Sequence, residues 1–427
     1  MPSAGWNYER EPACAAALGD PAHARGNLMQ PQPRAYYRSF PTQLWVLVGG
    51  GFINSLGSAL VFPFLTLYLR QRFGIPLLQV GLVLTANAVA GLLAGLLGGF
   101  IADRFGRRSV MLVSLASTSV VLLLIGLAST YGQAVLLAAA IGLTSPLSQP
   151  ARDAMIADLT QPSQRAEAYS MLRVATNLGY AIGPAIGGFL ASVSYLLSFG
   201  LAASASLAVF VLTWFLVRET LTDAARARAS NSPSGGFGPV FRDAPFMLFC
   251  VLGLLTAVAY AQVTTNLPVH MKESLGLGER YFGWVMTTNA AMVVALQMAI
   301  TRAIARWPRL PTLALGAALY GVGVGAIGLV SAFPGFIVCS VIYTLGEIVV
   351  SPTANAFTAD LSPAEMRGRY MGLLALTWGV AYGIGPALGG AMYDAGFKVA
   401  LWFAAGGLAL STALGYLLLQ RYLRKRG

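Results

Sequence analysis

Four ionisable side chains lie inside long apolar runs of this sequence: Arg152, Asp153, Arg173 and Glu347. Charge at bilayer depth is costly and marks functional sites by default. Glu347 is near the middle of its run, and Ser351 and Asn355 follow it on the same helical face. Burial disfavours the charged form of a carboxyl, so Glu347 could load and release a proton near neutral pH. The competing reading is a structural hydrogen bonder that never titrates. Asp153 ranks second as a proton site, with Arg152 as its neighbour. The two point about 100° apart on a helix, so Asp153 suits a structural ion pair with Arg173 equally well.

Polar stripes accompany these charges. One run places Tyr169, Arg173, Thr176, Asn177 and Tyr180 on one face, and another spaces Gln262, Asn266 and His270 at i, i+4 and i+8. Asn54 and Ser58 stand in the first run, Trp378 and Tyr382 in the eleventh. Such stripes on apolar helices are expected to face a water-filled cavity rather than lipid. Any one of them could instead bond between helices, and His270 reads as a rim residue.

Other chemistry is missing from the sequence. It contains no Gly-x4-Gly-Lys-Ser/Thr phosphate cradle and no Cys/His ligand set. Cys14, Cys250 and Cys339 are far apart, and the two histidines, His23 and His270, cannot hold a metal between them. The expectation is no enzyme, no cofactor and no metal. Energy should come from an ion gradient, with protons as the coupling ion.

The elements that position these groups follow from composition. Apolar residues make up 56% of the chain and charged residues 10%, far from the soluble average. Windowed hydropathy predicts twelve spans, at roughly 44–69, 79–102, 109–129, 133–157, 166–191, 195–217, 246–271, 281–304, 311–331, 335–358, 368–392 and 398–420. The fold class is an all-α polytopic membrane protein. Residues 1–40, rich in Pro, Ala and Arg, read as a disordered cytoplasmic tail. Residues 41–218 form one six-helix bundle, 219–243 a linker containing the Ser/Pro/Gly-rich Ser230–Gly238, and 244–427 a second bundle.

The two bundles are copies. Pro150, Asp158, Arg165 and Gly183-Pro184-x2-Gly187-Gly188 recur 202 positions later as Pro352, Asp360, Arg367 and Gly385-Pro386-x2-Gly389-Gly390. Two similar halves of a hydrophobic chain are the mark of a transporter. Placing the N-terminus in the cytoplasm puts Arg104, Arg107, Arg108, Arg226, Arg228, Arg302, Arg306, Arg309, Arg367 and Arg369 inside, with the basic C-terminus. It leaves Arg70, Arg72, Lys272, Arg280 and Lys398 outside. Both termini are therefore expected in the cytoplasm. The net charge of +12 reflects topology, not a nucleic-acid surface.

Two motifs are specific. After the second span the chain reads Gly99-Phe-Ile-Ala-Asp103-Arg104-Phe-Gly106-Arg107-Arg108. Asp103 can accept from a helix N-terminus, Gly106 permits a tight turn, and the arginines hold the loop at the cytoplasmic face. The counterpart in the second half, Ala303-Ile-Ala305-Arg306-Trp-Pro308-Arg309, keeps the arginines and lacks the acid and the glycine. In the fifth span, Gly179, Gly183 and Gly187 share a face for close helix approach. Gly188 adjoins that face, and Pro184 bends the helix.

The first motif resembles the signature loop of the major facilitator superfamily, and the second resembles the fifth-span motif of its antiporters. Over about residues 44–420 the chain resembles the twelve-span drug–proton antiporters of that superfamily. The resemblance implies two pseudo-symmetric bundles that rock about a central site. It implies a link of Asp103, Arg107 and Asp158 with the start of span eleven, favouring the outward-open state. It also supports Glu347 as an acid some of these antiporters carry, and Arg152 as their span-four arginine, although Ser148-Gln149-Pro150 departs from the usual pattern. The leading expectation is a monomeric proton-coupled exporter of amphipathic or lipophilic small molecules in the plasma (inner) membrane. A lipid or glycolipid translocator, or a metabolite exporter, is the alternative. A non-transporting receptor or scaffold fits less well, because the Asp103 loop is intact and the linker short.

Overall fold

The computed structural model describes residues 40–161, 164–221, 238–363 and 366–424. The expected tail, up to residue 39, and most of the expected linker lie outside them. Among the described residues there is no strand, and twelve helices are long and apolar enough to cross a membrane. In the first half these are α1 (Thr42–Phe73), α2 (Leu77–Phe105), α3 (Arg107–Leu127), α4 (Tyr131–Leu159), α5 (Arg165–Val193) and α6 (Tyr195–Leu216). In the second they are α7 (Ala244–Ser274), α8 (Glu279–Ile304), α9 (Arg309–Leu329), α10 (Phe333–Leu361), α11 (Arg367–Asp394) and α12 (Ala400–Arg424).

Helix is the state that satisfies every backbone group without water, and short polar signals set where each one stops. α1 closes on Gly74 in the left-handed region (φ 62°), whose N–H donates to the Arg70 carbonyl at 3.0 Å. Thr130 and Gln133 form a reciprocal capping box at the start of α4. Asp243 caps α7 by accepting from the Phe246 N–H at 3.1 Å, and its other oxygen accepts from the Tyr370 hydroxyl at 2.8 Å. That cap ties α7 to α11. Pro146 sits in a 3-10 turn, Ser145–Leu147, that interrupts α4. α7 breaks near Asn266 and ends in a π turn, His270–Ser274.

The duplication read from sequence is also a duplication of packing. In the first half α1 packs on α5, α2 on α4 and α3 on α6; in the second, α7 packs on α11, α8 on α10 and α9 on α12. The halves meet along two equivalent seams, α2 against α11 and α8 against α5. Both depend on glycines in the same register. A Cβ on Gly81 would stand 2.8 Å from the Pro386 carbonyl carbon, and one on Gly283 would stand 2.6 Å from the Pro184 oxygen. Likewise a Cβ on Gly390 would meet the Leu78 nitrogen at 2.8 Å, and one on Gly188 the Glu279 oxygen at 2.9 Å. The Gly-Pro segments of α5 and α11 are thus places where one half touches the other.

Further contacts join the halves at the end of the bundle marked by Gly74. Arg70 of α1 pairs with Glu273 of α7 at 2.9 Å and with Asp394 of α11 at 3.4 Å. Asp394 also accepts from the Leu78 N–H at 2.8 Å. Tyr195 of α6 donates to Glu279 of α8 at 2.8 Å, and Glu279 is paired with Lys272 as well. Phe64 meets Phe282 edge to face with ring centroids 5.7 Å apart. Towards the opposite end, past the contact of Leu92 with Gly379, the apolar Leu93 and Leu97 of α2, Val174 of α5 and Met298 of α8 are exposed.

Candidate functional site

A cavity of about 510 Å³ lies between the halves, and much of its wall is duplicated. Leu84 and Met286, Asn87 and Asn289, Ala88 and Ala290, and Tyr180 and Tyr382 are pairs 202 positions apart, and all eight line it. Asn177 belongs to the same wall. Among the described lining residues Glu347 is the one charged side chain. Its Oε2 accepts from the Tyr260 hydroxyl at 3.1 Å and from the Asn289 Nδ2 at 2.8 Å. The same amide donates to the Thr344 hydroxyl at 2.9 Å. Among the described residues no Lys, Arg or His forms an ion pair with Glu347. Trp378 stands behind this wall, stacked on Tyr382 (centroids 6.4 Å apart, planes at 26°) and edge-on to Tyr260 at 6.2 Å. A carboxyl held by neutral donors alone meets no fixed counter-ion, so a proton or a cationic group is what can neutralise it there.

A second cavity of about 350 Å³ lies wholly in the first half, lined by Asn54, Ser58, Arg152, Tyr169, Arg173 and Tyr180 among others. Tyr180 lines both spaces. Asn54 Oδ1 accepts from the Ser206 hydroxyl at 3.3 Å, and the Tyr169 hydroxyl donates to the Asp153 carbonyl oxygen at 2.7 Å.

The α2–α3 junction consists of Gly106 alone, with φ 96°, a region where a side chain is strained. Arg107 forms an ion pair with Asp158 and donates to the Ala154 carbonyl at 3.3 Å. Arg108 donates to the Trp214 carbonyl at 2.7 Å and lies 5.5 Å from its ring centroid, while Arg104 sits over Phe105. Gly99 and Asp103 belong to the last turns of α2, and the Asp103 side chain is outside the described ones. The second half repeats the ion pair in register, Arg309 with Asp360 at 3.1 Å. In α5, Gly179 and Gly187 face α1, where a Cβ would meet Leu56 N and Leu60 O, each at 2.8 Å; Gly183 faces Ala59.

A sequence profile of the Major Facilitator Superfamily matches residues 47–279 and 250–427. The chain belongs to the Major Facilitator Superfamily. A Na(+), Li(+), K(+)/H(+) antiporter of Planococcus maritimus is 28% identical over 371 residues, covering 80% of this chain and 87% of the relative. Multidrug resistance protein MdtH of Yersinia enterocolitica is 27% identical, covering 84% and 90%. Among solved structures, the peptide transporter POT superposes with a TM-score of 0.76 at 18% identity, covering 91% of this chain and 95% of that one. The nucleoside transporter NupG gives 0.78 at 12%, covering 88% and 100%. These likenesses establish the fold: an all-α membrane transporter of twelve spans in two pseudo-symmetric bundles.

Three sequence expectations need correcting in this transporter. Asp153 pairs with its neighbour Arg152, whose Nε and Nη2 both lie 3.2 Å from Oδ1, and not with Arg173. The 100° between the two Cα–Cβ directions is bridged by the length of the arginine. Asp153 is 47% exposed, so it is not a desolvated carboxyl. Gln262 and Asn266 are buried in the α7–α11 contact and do not line either cavity. Gln262 donates to the Gly385 carbonyl at 2.9 Å, Asn266 donates to Gln262 at 2.5 Å, and both amides fill the space left by Gly389. His270 is buried between the rings of Tyr393 and Trp402 and is not a rim residue.

Sequence reasoning missed Tyr260 and Asn289, the two donors to Glu347. The repeat carried the signal for one of them, since Asn87 and Asn289 are its equivalent positions. It also missed Glu219, whose two oxygens accept from the Arg107 and Arg108 N–H groups at 3.2 and 3.0 Å. That carboxylate sits at the α3 N-terminus, where negative charge is favoured.

Proposed function

We propose that this transporter is a proton-coupled exporter of amphipathic small molecules, with Glu347 as the coupling carboxyl. The observation that carries the reading is Glu347 itself: the sole charge on the larger cavity's described wall, set among neutral donors. A proton taken up from outside neutralises it. A cationic or strongly polar solute arriving from the cytoplasm displaces that proton, so the inward proton gradient drives expulsion. The distribution of Lys and Arg supports a cytoplasmic location for both termini and the Gly106 junction. The seams and ion pairs at the Gly74 end then close the outer side, and the structure is the inward-facing state. The relative named for multidrug resistance supports a drug-like substrate.

Metal-cation/proton exchange is the second reading. It is favoured by the Planococcus maritimus relative and by the Tyr260 hydroxyl oxygen set against the Glu347 carboxylate. One experiment separates the two. Purified protein in weakly buffered detergent solution receives ethidium, or NaCl, LiCl and KCl in turn, and proton release is recorded for wild type and Glu347→Gln. Release on ethidium from wild type alone is the expected result. Ethidium binding equally to both proteins without release overturns coupling through Glu347, and release on the salts alone moves the second reading to the front.

A further inference from the structure

Part of the neutral wall repeats between the two halves, but the charges do not. Glu347 stands 202 positions after Ser145, which lines the smaller cavity. Arg152 and Arg173 stand 202 positions before Ala354 and Ala375. Positive charge is therefore confined to the first half's wall and the carboxyl to the second's, with Tyr180 facing both spaces. Asp153 offsets Arg152. Arg173 lines the smaller cavity and, among the described residues, has no carboxylate partner. Asn54, Ser58 and Tyr169 add neutral hydrogen-bonding groups to the same wall. A guanidinium without a counter-charge, at membrane depth and beside neutral polar groups, is a receptor for a planar anion.

We propose that the smaller cavity is a carboxylate subsite. The transporter takes aromatic amphiphiles that carry a carboxylate and a cationic group on one rigid frame. The carboxylate lies at Arg173, assisted by Arg152. The cationic aromatic body lies in the larger cavity beside Tyr180 and Tyr382, with its charge towards Glu347. This deepens the exporter reading and rests on it for the part played by Glu347. It also distinguishes this cavity from one built for lipophilic cations alone, which has no use for the unpaired Arg173.

The test is a matched pair of dyes. Rhodamine 110 carries a free carboxylate on its cationic xanthene frame; rhodamine 123 is its methyl ester. Fluorescence anisotropy titrations with the purified full chain measure the affinity for each at neutral pH. Wild type is expected to bind the acid at least about tenfold more tightly than the ester, the gain of one charge-assisted contact. In Arg173→Gln the ratio falls to about one, and Arg173→Lys, which keeps the charge and loses the fork, retains part of it. Equal binding of the two dyes by wild type, failure of the acid to bind, or an acid preference that survives in Arg173→Gln overturns the proposal. Proton release recorded in the same samples keeps the two ideas separate. Glu347-dependent release with no acid preference removes the subsite and leaves the exporter. An Arg173-dependent preference without release keeps the subsite and removes coupling through Glu347.

Discussion

The two halves of the binding region differ in how they treat charge. In the second half, Glu347 is enclosed by a hydroxyl, an amide and aromatic rings. In the first, Arg152 and Arg173 line an open polar space, and one of them is offset by the exposed Asp153. Elsewhere four lining pairs stand in register: Leu84/Met286, Asn87/Asn289, Ala88/Ala290 and Tyr180/Tyr382. The differences at Ser145/Glu347, Arg152/Ala354 and Arg173/Ala375 make this repeated frame directional. A cavity with equivalent walls has no reason to bind one end of a solute in one half. One with opposite charges on its two walls orients a solute, and under the proposed coupling it places proton exchange on one side only.

The largest test of this contrast is Glu347→Gln. The amide keeps the volume and hydrogen bonds but cannot exchange a proton, so proton-driven dye efflux from loaded vesicles should fall to that of empty membranes. Asp153→Asn should leave a clear majority of the efflux, because the exposed carboxyl it removes neutralises only its neighbour. Equal losses in both would erase the distinction between the halves.

The seams come next. Gly81→Ala and Gly283→Ala insert a methyl where backbone already stands within 2.8 Å. Overpacking of this kind costs about 1–3 kcal/mol, and here the cost falls on the state closed at the Gly74 end. Both variants should shift double electron–electron resonance distances measured across that end towards longer values, and by similar amounts since the sites are equivalent. A shift in only one would show that the seams are not.

Asn289→Ala against Asn87→Ala sharpens the comparison at matched positions. Asn289 donates to Glu347, whereas Asn87 donates to the Ala138 carbonyl at 2.8 Å. Losing a hydrogen bond to a charged group costs about 1.5–3 kcal/mol and to a neutral one about 1. Proton release on dye binding should change in the first variant and stay at the wild-type level in the second.

Much of this architecture was legible in sequence. Long apolar runs demand helices in lipid, Gly106 announced its turn, and the 202-residue register marked Gly188 and Gly390 as equivalent positions. What remained hidden depends on which neighbour a helical face meets. Gln262 and Asn266 form a polar stripe like those lining the cavities, but Gly389 opposite them leaves room for the amides, so the stripe is buried. The cluster of Arg70 with Glu273 and Asp394 was hidden, because nothing local in a sequence brings together groups 203 and 324 positions apart. Tyr260 resembles any core aromatic until Glu347 is seen beside it.

The smallest expected effects come from the repeated ion pairs at the Gly106 end. Arg107 and Asp158 are 14% and 33% exposed, Arg309 and Asp360 35% and 57%. Solvent screens the second pair more, and exposed pairs are worth about 0–1 kcal/mol. The first pair also holds the junction in which Glu219 meets the α3 N-terminus, so its loss is transmitted to a helix end. Asp158→Asn should therefore slow efflux by about threefold or more, as expected for a loss approaching 1 kcal/mol, and Asp360→Asn should stay within about twofold of wild type. In the second half the loop has lost its acid and glycine. If Asp360→Asn were the more damaging change, control of the conformational cycle would lie with that simplified loop, and the asymmetry between the halves would not extend from the cavity to the gate.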